Sequence, residues 1–446
     1  MHRQIITSAL KQKLRDLSPY FVALLFSIII FSPILFLGFR TDDYHLFRVY
    51  SNHELSYVWT HNWDLDGIEN DGLRPISILI YHIVTWLCGF NRVKIFIVVF
   101  LAVVIKILLT VKLSSYFIKN KALALSCVFL PATAYCVLTH HYLAIEIPAN
   151  ICIILIVSSL ILLFNISKTR YKYSSFAGSL ILLFLAVFTK EIAVPFLLFP
   201  PLMLAYLANT DESFTFKALK NKVLFLAACC LPLFYLIWRL IFFTSAEYHA
   251  SLPTHFHYFL VGMGNLFNVL YIYGYRHSLW RPNIPMLAAA TIVIVYLFDS
   301  ILLLIGISII KNAKKVFSDR RNLLILSLIF FSCVIFPVNG GGRLQFLYLF
   351  FSFLFIGRFA ELHAPNHKMR IFFLLPALVM IIASVYISFS CIFETMSPAS
   401  PAVIKEDLKT FNDIAETNKY LLRDEFKVQY DNLKSKVETE QNQPAK

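Results

Sequence analysis

The chain has 446 residues, 58% of them hydrophobic and only 15% charged, with a formal net charge of +14. A soluble domain lies nearer ~45–50% apolar, so composition excludes an ordinary soluble globular protein and points to a polytopic membrane protein. The basic excess would suggest nucleic acid in a soluble chain; spread between apolar runs, it fits Lys and Arg that hold loops on the cytoplasmic side of a membrane, and nucleic acid is not expected as a partner.

Met1 to Ser18 is basic and polar. The apolar run after it, 20–39, is long enough to span and has no small-residue cleavage pattern, so it predicts a retained first helix. Directly behind it stands Arg40-Thr41-Asp42-Asp43-Tyr44. Two adjacent carboxylates at the mouth of a membrane helix are costly unless water, a metal or a cation meets them, which makes Asp42 and Asp43 the leading candidates for chemistry. The segment 40–92 also carries Trp59, His61, Trp63, Asp64, Asp66, Glu69 and Asp71. Its tryptophans suit stacking on sugar rings and equally suit an interfacial aromatic belt.

Further apolar runs cover 75–90, 93–117, 122–139, 144–164, 174–189, 192–208, 223–243, 285–310, 322–338, 344–359 and 371–392. Most match a hydrocarbon core of ~30 Å, which needs ~20 helical residues with slack from ~17. The run 75–90 is the short one, about 24 Å as a helix, and it opens with Arg74-Pro75. Parity decides its role. If it does not span and the N-terminus is cytoplasmic, the basic loops at 119–121, 168–172, 217–222, 311–321 and 358–370 all fall inside, where basic residues outnumber those outside by about two to one. If it did span, those loops would all lie outside. The expected fold is therefore an all-α polytopic membrane protein with about eleven transmembrane helices and a juxtamembrane helix in the first outer loop.

With that parity the polar clusters converge on the outer face. Thr139-His140-His141-Tyr142, with Glu146 a little further on, could bind a metal or hydrogen-bond a ligand, although adjacent histidines diverge on a helix. Lys190-Glu191 breaks two apolar runs; the pair either satisfies itself at the interface or sets Lys190 against a lipid phosphate while Glu191 holds it or binds a metal. The second large outer loop, 244–284, is rich in His, Tyr and basic residues including Arg276. It suits a phosphate and sugar surface as well as an interfacial helix. Asn339-Gly340-Gly341-Gly342-Arg343 either brings backbone amides and a bidentate arginine to a phosphate or makes a tight turn with a snorkelling arginine. Within the runs lie Lys106, Arg239 and Asp299; Arg239 is expected to snorkel outward, and the other two have no assigned role. The eight cysteines lie in or beside apolar runs and read as small apolar residues. Residues 1–393 form the membrane domain, and 394–446 a polar tail, helical in its first half and placed outside by an odd number of spans.

Asp42-Asp43 after the first span, Arg74-Pro75-Ile76-Ser77, the Thr189-Lys190-Glu191 step and the late Arg343 occur in an order that resembles the GT-C membrane glycosyltransferases. That group includes the protein O-mannosyltransferases and related polyprenyl-phosphate-sugar enzymes. The layout is also similar to serotype-converting O-antigen glucosyltransferases of enteric bacteria. The likeness covers about residues 20–360; the Gly-Gly-Gly before Arg343 departs from it. It implies Asp42 or Asp43 as catalytic base, a polyprenyl-phosphate sugar donor whose phosphate meets Arg74, Lys190 and Arg343, and inversion at the sugar carbon. It further implies a glycan or lipid-linked acceptor and a bacterial inner membrane with the site facing the periplasm. A divalent metal is compatible with it, since some relatives use one. The alternatives are an O-antigen polymerase or ligase, and a transporter or flippase for lipid-linked sugars.

Overall fold

The computed structural model describes residues 2–36, 59, 74–89, 91–134, 137, 143–166, 172–210, 219–242, 256–257, 259–260, 263, 300, 302–334, 345–363 and 378. Their regular structure is helical. In chain order it comprises α1 (His2–Phe31), α2 (Pro75–Cys88), α3 (Arg92–Ser114), α4 (Lys121–Thr133), α5 (Ile147–Asn165), α6 (Lys172–Thr189), α7 (Phe199–Thr210) and α8 (Leu219–Phe242). Then come α9 (Leu302–Lys311), α10 (Ala313–Ser318), α11 (Arg320–Cys333) and α12 (Gln345–His363), while 3-10 segments cover Ser32–Phe36, Ala144–Glu146 and Glu191–Leu198. Among the described residues, Leu17–Phe36, Arg92–Ser114, Ala144–Asn165, Lys222–Phe242 and Gln345–Leu362 are long and apolar enough to cross a bilayer, and shorter apolar helices accompany them. This is an all-α membrane protein.

Local chemistry sets the breaks. Asn91, Asn120 and Asp319 stand at the N-caps of α3, α4 and α11, where their side chains accept from the backbone N–H of Lys94, Leu123 and Arg321. Helix α1 gives way after Phe31 to the 3-10 segment Ser32–Phe36, where Pro33 has no N–H to continue the α-helical ladder. Helix α4 ends at Thr133, although the apolar run continues to 139. Pro131 lacks the N–H its last turn would use, and Ala134 is already non-helical at φ −56° and ψ 133°.

Helices α5 and α6 form an antiparallel hairpin: Cys152 donates to the Ala186 carbonyl, and the Ser159 and Ser179 hydroxyls meet at 2.7 Å. Small polar contacts of this kind join helices where burial of apolar surface supplies no driving force between them. Helix α12 comes so near α4 that a Cβ at Gly357 would lie 2.5 Å from the Cys127 sulfur.

The contacts orient the helices between two ends. At one end, Tyr116 donates to Asn165 at the close of α5, and Tyr20 shares a hydrogen bond with Ser115. There Arg358 of α12 donates to the Phe117 carbonyl, Asn322 and Asp319, and Glu361 accepts from the backbone N–H of Lys119 and Asn120. This is the staple end. The other end gathers Arg74, Glu146, Lys190 and Glu191 and is called here the ion-pair end. Helix α5, 19 residues and so about 28 Å long, separates them. Helix α1 runs toward the ion-pair end, since Tyr20 sits at the staple and Phe26 further along stacks on Phe129 near the close of α4. Helix α2 crosses helix ends: Ser77 donates to the carbonyl of Thr189, the last residue of α6, and one turn later Tyr81 donates to the carbonyl of Ile145, ahead of α5.

Candidate functional site

Each charged group at the ion-pair end is placed by a helix break. Pro75 begins α2, which forces Arg74 out of helical conformation, to φ −128° and ψ 63°, and sends its side chain away from the α2 axis. Lys190 is fully extended between α6 and the 3-10 segment that begins at Glu191, with φ −157° and ψ 143°. Successive side chains on extended backbone point to opposite sides. Of the two readings of this step, mutual pairing of Lys190 and Glu191 is not the arrangement found: each meets a partner from another segment. Glu191 accepts from Arg74 Nε at 2.7 Å, across 117 residues of sequence, while Lys190 donates to Glu146 Oε2 at 3.2 Å.

Glu146 closes the 3-10 turn ahead of α5 and is almost fully buried. Its position at the α5 N-terminus, where partial positive charge gathers, favours the carboxylate. Behind it lies a second layer. Asn150, one turn into α5, donates to the Glu146 carbonyl at 3.2 Å and accepts from Lys106 Nζ at 2.6 Å. Lys106 has no exposed surface, and its ammonium group stands 4.7 Å from the Phe346 ring centre, so α12 begins beside this group. The lysine is held by an amide and by the ring's negative face. Lys106 had no role assigned from sequence; the structure makes it the floor of the cluster.

Arg239 also differs from expectation. Rather than snorkelling outward it donates to the Tyr235 hydroxyl at 2.9 Å, and its charge acts on Glu191. Around it Phe188 meets Tyr235 at 5.7 Å and Trp238 at 4.6 Å between ring centres, both edge-on. Trp59, from the first long loop, meets Phe188 at 5.5 Å. That ring packs against the aromatic core two residues before Lys190, so Trp59 stands at this end of the bundle.

Arg74, Lys190, Glu191 and Glu146, four of the sequence candidates, are thus brought together. Arg239, Tyr235, Lys106 and Asn150 join them. The charges in apolar runs signalled Lys106 and Arg239, while Asn150 and Tyr235 gave no sequence signal beyond ordinary helix composition. Arg74, Lys190 and Arg239 gather around two carboxylates, which leaves a surplus of positive charge suited to a phosphate. Asp42, Asp43, His140, His141, Arg276, Arg343, Asp299 and the tail 394–446 lie outside the described residues. Among the described residues no group of three or more His, Cys, Asp or Glu is gathered to hold a metal ion. Glu146 and Glu191 each meet a basic partner, an arrangement for holding cations of the chain itself. No protein-family model matches the chain, and no curated protein matches it.

Proposed function

We propose that the protein is a membrane glycosyltransferase of the GT-C kind, which moves a sugar from a polyprenyl phosphate to an acceptor glycan at the outer face of a bacterial inner membrane. The observation that carries this reading is the convergence of Arg74, Lys190, Glu191 and Glu146, from distant parts of the sequence, into one cluster with surplus positive charge.

The helix directions support the same reading. The segments gathered at the staple, near 117–120, 319–322 and 358–361, are ones that the basic-residue count assigns to the cytoplasm. Those at the ion-pair end are ones it assigns to the outside. Helix α1 delivers the chain toward the ion-pair end ahead of Asp42 and Asp43, and Arg343 stands two residues before α12 begins beside Lys106. Helix α2 fits a juxtamembrane element: Ser77 and Tyr81 face helix ends, while Ile83, Trp86 and Leu87 are exposed, Trp86 by 72%. A total of about eleven spans follows from this parity.

In the reaction an acceptor hydroxyl oxygen attacks C1 of the sugar from the face opposite the phosphate. The C1–O bond to phosphate breaks, the hydroxyl proton passes to Asp42 or Asp43 as general base, and polyprenyl phosphate leaves with both bonding electrons. Lys190, Arg74 and Arg343 stabilise the charge that develops on the departing phosphate. Glu191 and Glu146 keep Arg74 and Lys190 aimed before substrate arrives. Should a divalent metal take part, it would add Lewis-acid stabilisation of the phosphate, with Asp42, Asp43, His140 and His141 as the candidate ligands.

The test is purified protein with a short-chain polyprenyl-phosphate sugar and an acceptor glycan. Transfer with release of free polyprenyl phosphate is expected, and Asp42→Asn together with Asp43→Asn should abolish it. Full transfer by that double variant at normal protein level removes the carboxylate mechanism. Movement of the intact lipid-linked sugar across vesicles, without release, makes the protein a transporter.

A further inference from the structure

The staple end carries a feature that glycosyl transfer does not use. The segment between α9 and α11, Lys311 to Arg321, holds Lys311, Lys314, Lys315, Arg320 and Arg321, and its one acid is Asp319. Asp319 turns inward. One carboxylate oxygen takes the Arg358 guanidinium at 2.5 Å, and the other caps α11 by accepting from the Arg321 N–H at 2.8 Å. The acid is thereby committed to Arg358 and to the α11 cap, with 28% of its side chain exposed, and the side chains of Lys311, Lys314, Lys315 and Arg321 are exposed on a segment that holds this single carboxylate.

Apolar side chains stand exposed within the same patch. Ile310 is 75% exposed and Phe317 54%, although Val316 between the cations is fully buried and fixes the segment onto the bundle. Asn322 tightens that seat by donating to the Val316 carbonyl at 3.1 Å while accepting from Arg358. Alternating exposed cations and exposed large apolar groups at the ends of two apolar helices face two chemistries at once. Phosphate diesters answer the cations, and acyl chains answer the phenylalanine and isoleucine. A soluble acidic protein would leave Phe317 and Ile310 a poor fit, and bulk water would leave both exposed.

We infer that Lys311, Lys314, Lys315, Arg321, Ile310 and Phe317 form a binding site for anionic phospholipid, with the headgroup phosphate on the basic side chains and the acyl region against Phe317. Arg358 and Asp319 hold the platform rigid from behind. The site lies at the opposite end of the bundle from the ion-pair cluster and is independent of the proposed transferase reaction.

The experiment uses the full chain in mild detergent, with dioleoylphosphatidylglycerol and dioleoylphosphatidylcholine as probes and retained lipid read by native mass spectrometry. The wild type is expected to retain the anionic lipid preferentially, and high salt should remove that preference. Lys314→Gln with Lys315→Gln should weaken retention of the anionic lipid by about tenfold or more. Phe317→Ser should weaken retention of both lipids. Equal retention of the two lipids by the wild type overturns the inference. So does undiminished retention by the lysine double variant, or displacement of the lipid by an equal concentration of soluble glycerol phosphate.

Discussion

The two ends of the bundle use the same residue types for opposite purposes. At the staple, Arg358 is only 8% exposed and spends its guanidinium on three acceptors from two segments: Asp319 and Asn322 at the start of α11, and the Phe117 carbonyl. At the ion-pair end, Arg74 and Lys190 each meet one carboxylate in the pairs described, and Arg74 remains 26% exposed with Glu191 at 20%. A saturated, buried arginine holds a fold together, because water and ligand have no access to it. A partly exposed pair with surplus positive charge nearby is aimed but still reachable. The difference separates structural charge from charge available for substrate.

The largest expected effect comes from removing the staple. Arg358→Met leaves Asn322 and a backbone carbonyl without their shared donor, and leaves Asp319, 28% exposed, without its charge partner. Breaking one side of a fully buried pair costs about 3–5 kcal/mol, and water at Asp319 brings that to about 2–3 kcal/mol. Denaturant or thermal unfolding in detergent should show a loss of that size. Arg358→Lys should recover only part, since a single ammonium cannot fork to three acceptors spaced for a guanidinium. If Arg358→Met unfolds like the wild type, the contrast between the ends is broken.

A smaller effect on stability, with a larger one on activity, is expected at the other end. Arg74→Gln should cost about 1–2 kcal/mol of stability, between the values for exposed and buried pairs. If Arg74 stabilises the leaving phosphate, transfer should fall about 100-fold or more. Adding Glu191→Gln removes the stranded carboxylate, so the double variant should regain stability without regaining transfer. Stability and transfer recovering together would make Arg74 another staple and erase the distinction.

Much of this arrangement was legible in the sequence, for physical reasons that differ by residue. Apolar runs give helices because a backbone in hydrocarbon must satisfy itself internally. The short run after Arg74-Pro75 predicts a helix beside the membrane; the structure gives a 14-residue α2 whose Ser77 and Tyr81 bond the carbonyls of Thr189 and Ile145. Lys190 and Glu191 were visible as a polar break, but their partners were not. Pairing across 117 residues is set by how helices assemble, and the extended Lys190 backbone that separates the two neighbours is a property of the break's geometry. Arg239 shows the same limit. Its place near the end of an apolar helix suggested snorkelling, yet Tyr235 lies one turn before it on the same face and holds it toward Glu191. The run 122–139 reads as one apolar stretch, and its α-helix ends at Thr133, where Pro131 removes an N–H from the last turn.

The smallest expected effect sharpens the comparison by pH. Burial tends to raise the Asp319 carboxyl, but the hydrogen bond from Arg358, the backbone N–H of Arg321 and the two positive charges outweigh it, so its pKa lies below the ordinary aspartate value. A carboxyl whose folded pKa is depressed adds stability that is complete above its unfolded value, about 4, and is lost as pH falls through the folded value. Wild-type protein should therefore lose stability over that acid range partly through this one group. Asp319→Asn should start less stable at neutral pH and show a shallower decline below about pH 4. The staple is the place to look for that change in slope, because Arg358 stays charged throughout and only the acid titrates. An Asp319→Asn decline as steep as the wild type's would mean that Arg358 finds its charge partner elsewhere, and the platform behind Lys314 and Lys315 would then rest on hydrogen bonds to Asn322 and Phe117 alone.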